Sequence, residues 1–226
     1  PILNILKAKE ILDYWFPKDG KADYNKWFIK STDYDKEIKD KFYDLLKEAE
    51  QGKGFGWLVS KDSFLAYIIL MDQFSRHIYR GSGDAFKNDN GVLIFVELGM
   101  EIYRKQLRNY EFMFALLPYM HSEIIQYQKK GREIFYKHNR LYGPSDNHER
   151  KTKDFDKLDD KNNDIEYTQI DNEFMMLKTM KDHLEGHYKT ILCFGRFPKR
   201  NEVLNRESTW HELQYMNREE VKNRSY

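Results

Sequence analysis

Apolar residues recur three and four places apart along almost the whole chain, and that spacing admits helices and little else. Ile5, Leu6, Ile11, Leu12, Trp15 and Phe16 form one such stripe, which Pro17 and Gly20 end. Ile38, Phe42, Leu45, Leu46 and Ala49 form a second, with Ser31 or Asp33 ahead of it as a cap and Gly52, Gly54 and Gly56 behind it. The third starts near Asp62 or Ser63 and runs through Phe64 to Met71 and on to Tyr79. Its early turns are apolar all round, which puts it in the middle of the domain. Val92, Leu93, Phe95, Val96, Leu98 and Ile102 make a fourth. Pro118 is expected to open a helix reaching about Leu141, Ile170 to Phe194 another, and Trp210, Leu213 and Met216 a short last one. Phe112 to Leu117 would be a strand only with a partner, and no other segment alternates with period two. The expectation is an all-α protein of stacked antiparallel helical hairpins.

The 226 residues suit a single domain over 1–226, interrupted at about 145–165 by a polar surface insertion: Asn147 to Asn163 is dense in Lys, Asp, Asn and Glu. Thirty-eight basic residues meet 37 acidic ones, so the chain lacks the basic excess of a dedicated nucleic-acid binder. No segment reaches the ~20 apolar residues of a membrane span. Pro1-Ile2-Leu3-Asn4 carries no basic region ahead of a long apolar stretch, so a cytoplasmic protein is expected; a targeting peptide removed earlier would leave no trace. The lone Cys193, among Ile191, Leu192 and Phe194, is expected to be a buried, inert thiol.

Three polar clusters interrupt this apolar ground. In Asp72-Gln73-Phe74-Ser75-Arg76-His77-Ile78-Tyr79-Arg80, the pairs Asp72/Arg76 and Gln73/His77 stand four apart, and Arg80 follows near them. Charges near a core need partners, and an Asp72–Arg76 ion pair would brace the helix without any ligand. Pro118-Tyr119-Met120-His121-Ser122-Glu123 places His121 seven residues before Gln128, with Glu123 in what reads as a helical first turn, where the dipole alone explains an acid. The third cluster comprises His187, then Arg196, Lys199, Arg200, Asn201 and Arg206, ahead of a capping box formed by Thr209 and Glu212. Cations before a helix N-terminus call for an anion between them. That anion is either external, a phosphate or carboxylate, or internal, such as Asp72 or Glu123.

These stretches, Asp72 to Arg80, Pro118 to Glu123 and His187 to Glu212, together with Trp15-Phe16 and Gly81 to Asp89, resemble the motifs of the family called "domain of unknown function 924". The similarity spans essentially everything but the insertion. It implies a tetratricopeptide-like helical fold and no established activity. Ser75, His77, Lys199 and Asn205 depart from the family's Pro, Asn, His and Gly. Asp72, Gln73, Arg76, Arg80, His121, Glu123, His187, Arg196, Arg200, Asn201 and Arg206 match it, and they are the candidate site.

Two functions compete. A pocket for a small anionic ligand would use Asp72, Gln73, Arg76, Arg80, Arg196, Arg200, Asn201 and Arg206 for binding. His121, His187 and Glu123 would handle protons if a hydrolase- or transferase-like step occurs. A protein-interaction scaffold would instead use the same motifs as internal braces, with a protein partner in a concave groove. A metal bound by His121, Glu123, His187 and Asp72 is disfavoured by the surrounding arginines. The cofactor is left unknown by the sequence.

Overall fold

The computed structural model describes residues 2–16, 27, 31–52, 54–142 and 163–218. The regular elements among them are helices. These are α1 (Ile2–Trp15), α2 (Thr32–Ala49), α3 (Lys61–Ile68), which passes through a π-helical segment (Ile69–Phe74) into α4 (Ser75–Ile78), then α5 (Gly91–Tyr103), α6 (Asn109–His121), α7 (Ile125–Tyr142), α8 (Asn163–Phe194) and α9 (Trp210–Met216). The insertion expected at 145–165 lies outside the described residues as far as 162, and Asn163 already belongs to α8.

Local chemistry sets the ends. Ser31, in extended backbone, caps α2 by accepting from the Tyr34 N–H, while Asp33 and Asp35 favour its positive end. Gly52, at φ 87°, takes the chain through the left-handed turn that follows. Helix α3 begins at Lys61, just ahead of the expected start near Asp62 or Ser63, and Ser60 caps it, its hydroxyl accepting from the Ser63 N–H at 3.1 Å. Pro118 corrects the sequence reading more seriously, because it lies inside α6 and opens nothing. Every residue from Glu111 to His121 is buried, and that packing keeps the helix going despite the missing N–H. The backbone turns extended only at Ser122, where Gln128 Nε2 donates to the carbonyls of Met120 (2.6 Å) and Ser122 (2.8 Å) and closes the helix end.

Helices that follow one another in sequence also touch: α5 with α6, α6 with α7, and α7 with α8. Helix α3 meets α1, α5 and α6, as its all-round apolar surface demands. Trp15, Phe42, Phe74 and Phe114 pack edge-on or tilted against one another with ring centroids 4.7–5.7 Å apart. Three sequence expectations fail at the surface. Ile5 and Leu6 are exposed, Leu98 and Ile102 lie on the outer face of α5, and α9 exposes Trp210 and Leu213 while burying Glu212. Cys193 is exposed as well, since its turn of α8 faces out with Leu192.

Gly99 permits the closest approach in the core: any Cβ there would overlap the Phe64 ring. Gly99→Ala is therefore expected to destabilise the protein by about 1–3 kcal/mol through overpacking, read as a lower urea midpoint. Unchanged stability would mean that α5 and α3 stand further apart than described.

Candidate functional site: a buried histidine–carboxylate–arginine network

Asp72 and Gln73 sit in the π-helical segment, where extra donors meet the main chain. Ser75 Oγ donates to the Met71 and Asp72 carbonyls at 2.7 and 3.2 Å, and Arg76 Nη1 to the Asp72 carbonyl at 2.6 Å. The Asp72 carboxylate is wholly buried. It faces Arg76 Nη1 at 3.2 Å, accepts from Gln73 Nε2 at 2.5 Å, and lies 2.7 and 3.0 Å from His121 Nδ1. Burial alone would raise its pKa, but Arg76, His121 and Gln73 together outweigh that and hold the carboxyl well below the usual range. An ionised carboxylate only accepts, so Nδ1 of His121 carries the proton and donates. When the ring is neutral, Nε2 then carries the lone pair; it has no hydrogen-bond partner among the described residues, and 11% of the side chain stays exposed. Burial and then Arg76 push the His121 pKa below 6.5 against the pull of Asp72. His187, from α8, lies with its ring 6.1 Å from that of His121 and donates from Nδ1 to the Met120 carbonyl at 3.0 Å. Burial, followed by repulsion from His121, places its pKa well below 6.5. Both rings are neutral at pH 7.

A second carboxylate, Asp89, completes the network. It accepts two bonds from Arg76 Nη2 (2.9 and 3.1 Å) and one from Arg200 Nη1 (2.9 Å). Arg200, 4% exposed, lies between the rings of Phe86 and Phe197 at 4.3 and 4.5 Å and donates its other terminus to the His121 carbonyl at 2.9 Å. Glu123 takes a two-pronged ion pair from Arg206 at 2.7 and 3.0 Å and the Phe197 N–H at 2.7 Å. This corrects its expected place, since it precedes α7 and ties the 196–206 loop to the end of α6. Arg196 and Asn201 both reach Glu212, the capping-box acid of α9, whose pKa falls to about 2.

The candidate residues therefore divide. Asp72, Gln73, Arg76, His121, His187 and Arg200 meet in one place, joined at its edge by Glu123 and Arg206. Arg196 and Asn201 brace α9 nearby. Arg80 does not join: Tyr79 leaves helical geometry at φ −107°, ψ 23°, and Arg80 turns with His77 to Asp35. Asp89 escaped the sequence reading. A charge count could have found it, because Arg76, Arg200 and Arg206 are matched one for one by Asp72, Asp89 and Glu123 only when it is included. The even choice between an internal and an external anion for the loop arginines resolves inward for each of these pairs. Among the described residues no group of three or more His, Cys, Asp or Glu side chains is set to hold a metal, and Glu123 is committed to Arg206.

Fold and site together define an all-helical protein built around a buried, charge-balanced histidine–carboxylate–arginine cluster. The chain belongs to the family described as "Bacterial protein of unknown function (DUF924)", which it matches over residues 11–220. A protein of unknown function from Agrobacterium tumefaciens, ATU0120, has a similar structure, with TM-score 0.70 and 26% identity over 95% of this chain and 98% of that one. No curated protein matches. No helix among the described residues is long and apolar enough to cross a membrane.

The depressed histidines give a signed pH dependence. Between its folded and unfolded pKa values each of them binds a proton in the unfolded chain and none in the folded one, so stability is full above pH 6.5 and falls as pH drops below it. Paired carboxylates add their own loss only below about 4.5. The thermal midpoint is expected to fall steadily between those limits and to fall less steeply in His121→Gln. A flat profile would contradict the neutral, buried imidazoles.

Proposed function

We propose that the network is a binding site for a small acid, a phosphate- or carboxylate-bearing molecule taken up together with a proton on His121. The observation that carries this reading is the set of charged donors left over. Nε–H of Arg76, of Arg200 and of Arg206 is buried with no acceptor among the described residues, and Nε2 of His121 in the same cluster is unbonded. A buried donor without an acceptor costs about 1–3 kcal/mol, more when charged, and an oxyanion supplies what these lack. The surrounding ion pairs already balance, so an added negative charge is best tolerated when an imidazole becomes imidazolium beside Asp72. His187 and Glu123 would then tune and frame the proton acceptor. Chemistry on the ligand is not required by this reading. Tetratricopeptide-like stacking and a cytoplasmic setting, where the lone exposed Cys193 would stay reduced, belong to the same proposal.

The pairings favour a second reading, in which the arginines are braces inside an interaction scaffold: each of Arg76, Arg196, Arg200 and Arg206 already has a carboxylate partner, Asp89 being shared by Arg76 and Arg200.

Calorimetric titration with inorganic phosphate and with citrate at pH 7, in two buffers of different protonation heat, separates them. Acid binding predicts saturable heat with proton uptake and about 2.7 kcal/mol of added stability at a hundredfold excess over Kd, all lost in His121→Gln while the helical circular dichroism is kept. Absence of saturable binding by either anion would overturn the acid-binding reading and leave the scaffold.

A further inference from the structure

Among the described residues, helix α5 leaves one face uncovered. Ile94, Leu98 and Ile102 stand four residues apart, 59%, 40% and 55% exposed, along a helix whose 13 residues span about 20 Å. A single exposed isoleucine needs no explanation, but three in register form a ridge. Beside the ridge runs a groove of about 470 Å³ between α5 and α7, lined by Ile94, Leu98, Met100 and Ile134 and floored by Tyr119. The Tyr119 side chain is fully buried, and its hydroxyl has no hydrogen-bond partner among the described residues. Ridge and groove therefore share one face of the molecule, with the ridge forming the groove's own wall.

Adjacent knob and hole are what a two-fold contact between identical chains requires, because the axis sets each copy's ridge in the other's groove. The charges fit the same arrangement. The ridge helix carries Glu97 and Glu101, whereas the far wall of the groove carries Lys130 and Lys137. Within one chain Lys130 reaches across to Glu97, while Glu101 and Lys137 form no ion pair among the described residues and are exposed. In the two-fold pairing the acids of one ridge face the bases of the other copy's α7. Glu133 on α7 and Arg104 beyond the end of α5 repeat the rule with signs exchanged. We propose that this face is a homodimer interface, in which α5 of each copy seats Leu98 and its neighbours in the α5/α7 groove of the other. A mixed-charge rim around an apolar stripe gives such a contact its register through the charges and its strength through the buried side chains. The contact lies apart from the histidine–arginine cluster and does not depend on what that cluster binds.

Sedimentation velocity on the full chain from micromolar to millimolar concentration tests this. The wild type should pass reversibly from monomer to a species of twice the mass. Leu98→Glu, a change at an exposed site that leaves the core untouched, should remain monomeric at every concentration with its circular dichroism unchanged. Lys137→Glu should weaken dimerisation at least about tenfold, and adding Glu101→Lys to it should restore the affinity, since both partners of the inter-chain pair are then exchanged. A wild type that stays monomeric throughout would overturn the proposal. So would a dimer that survives Leu98→Glu, which would place the contact elsewhere, or a Lys137→Glu defect that Glu101→Lys deepens.

Discussion

Asp89 stands between two buried guanidinium groups, and much of the molecule's organisation follows from that one carboxylate. Arg76 comes from the central helix and Arg200 from a loop more than a hundred residues later. Neither can be buried unless its charge is met. Asp89 meets both at once, and so fixes where the 196–206 loop lies against the end of α6. Glu123 and Arg206 repeat the device one step outward, and Glu212 with Arg196 repeats it again at α9. The loop buries Phe197 and Pro198 and half-buries Val203 and Leu204. Ion pairs add to that packing.

The same network prepares His121. The π-helical segment sets Asp72 and Arg76 together at the inner end of α6, the arginine keeps the carboxylate ionised, and the carboxylate fixes which imidazole nitrogen bears hydrogen. What remains at the surface of the cluster is a neutral nitrogen with a free lone pair, backed by a second neutral imidazole, His187. The guanidinium Nε–H groups of Arg76, Arg200 and Arg206 have no acceptor among the described residues. A site of this kind is assembled by helix ends and one loop, and each contributing segment is held by a partner distant in sequence.

Much of this was legible in the sequence. Helical periodicity located the elements because every helix here must bury one face, and the three polar clusters converge because charged residues in apolar ground have to find each other. The failures have physical causes. Periodicity tells which residues share a face but not whether a neighbour covers it, so Leu98 and Ile102 read as core and Cys193 as buried. Pro118 reads as a helix start because local preference favours that, whereas burial of α6 from Glu111 to His121 overrides it. Arg80 lies one helical turn beyond Gln73 only while the helix lasts, and Tyr79 ends it. Asp89 was passed over because Asn88-Asp89-Asn90 looks like ordinary turn chemistry ahead of α5, although it closes the Gly81 to Asp89 stretch of the family resemblance. The departures Ser75 and His77 find structural uses, the first as a donor to the main chain, the second paired with Asp35.

The measurement that bears most directly on this view is the urea unfolding free energy of Asp89→Asn, compared with that of Asp89→Asn combined with Arg200→Gln. Removing the shared carboxylate leaves Arg200 without an anionic partner and Arg76 with Asp72 alone, so the single variant should lose about 3–5 kcal/mol, and the second change should return part of that loss by removing the stranded cation. A single-variant loss below about 1 kcal/mol, or a double variant whose losses simply add, would show that Asp89 does not hold the network together.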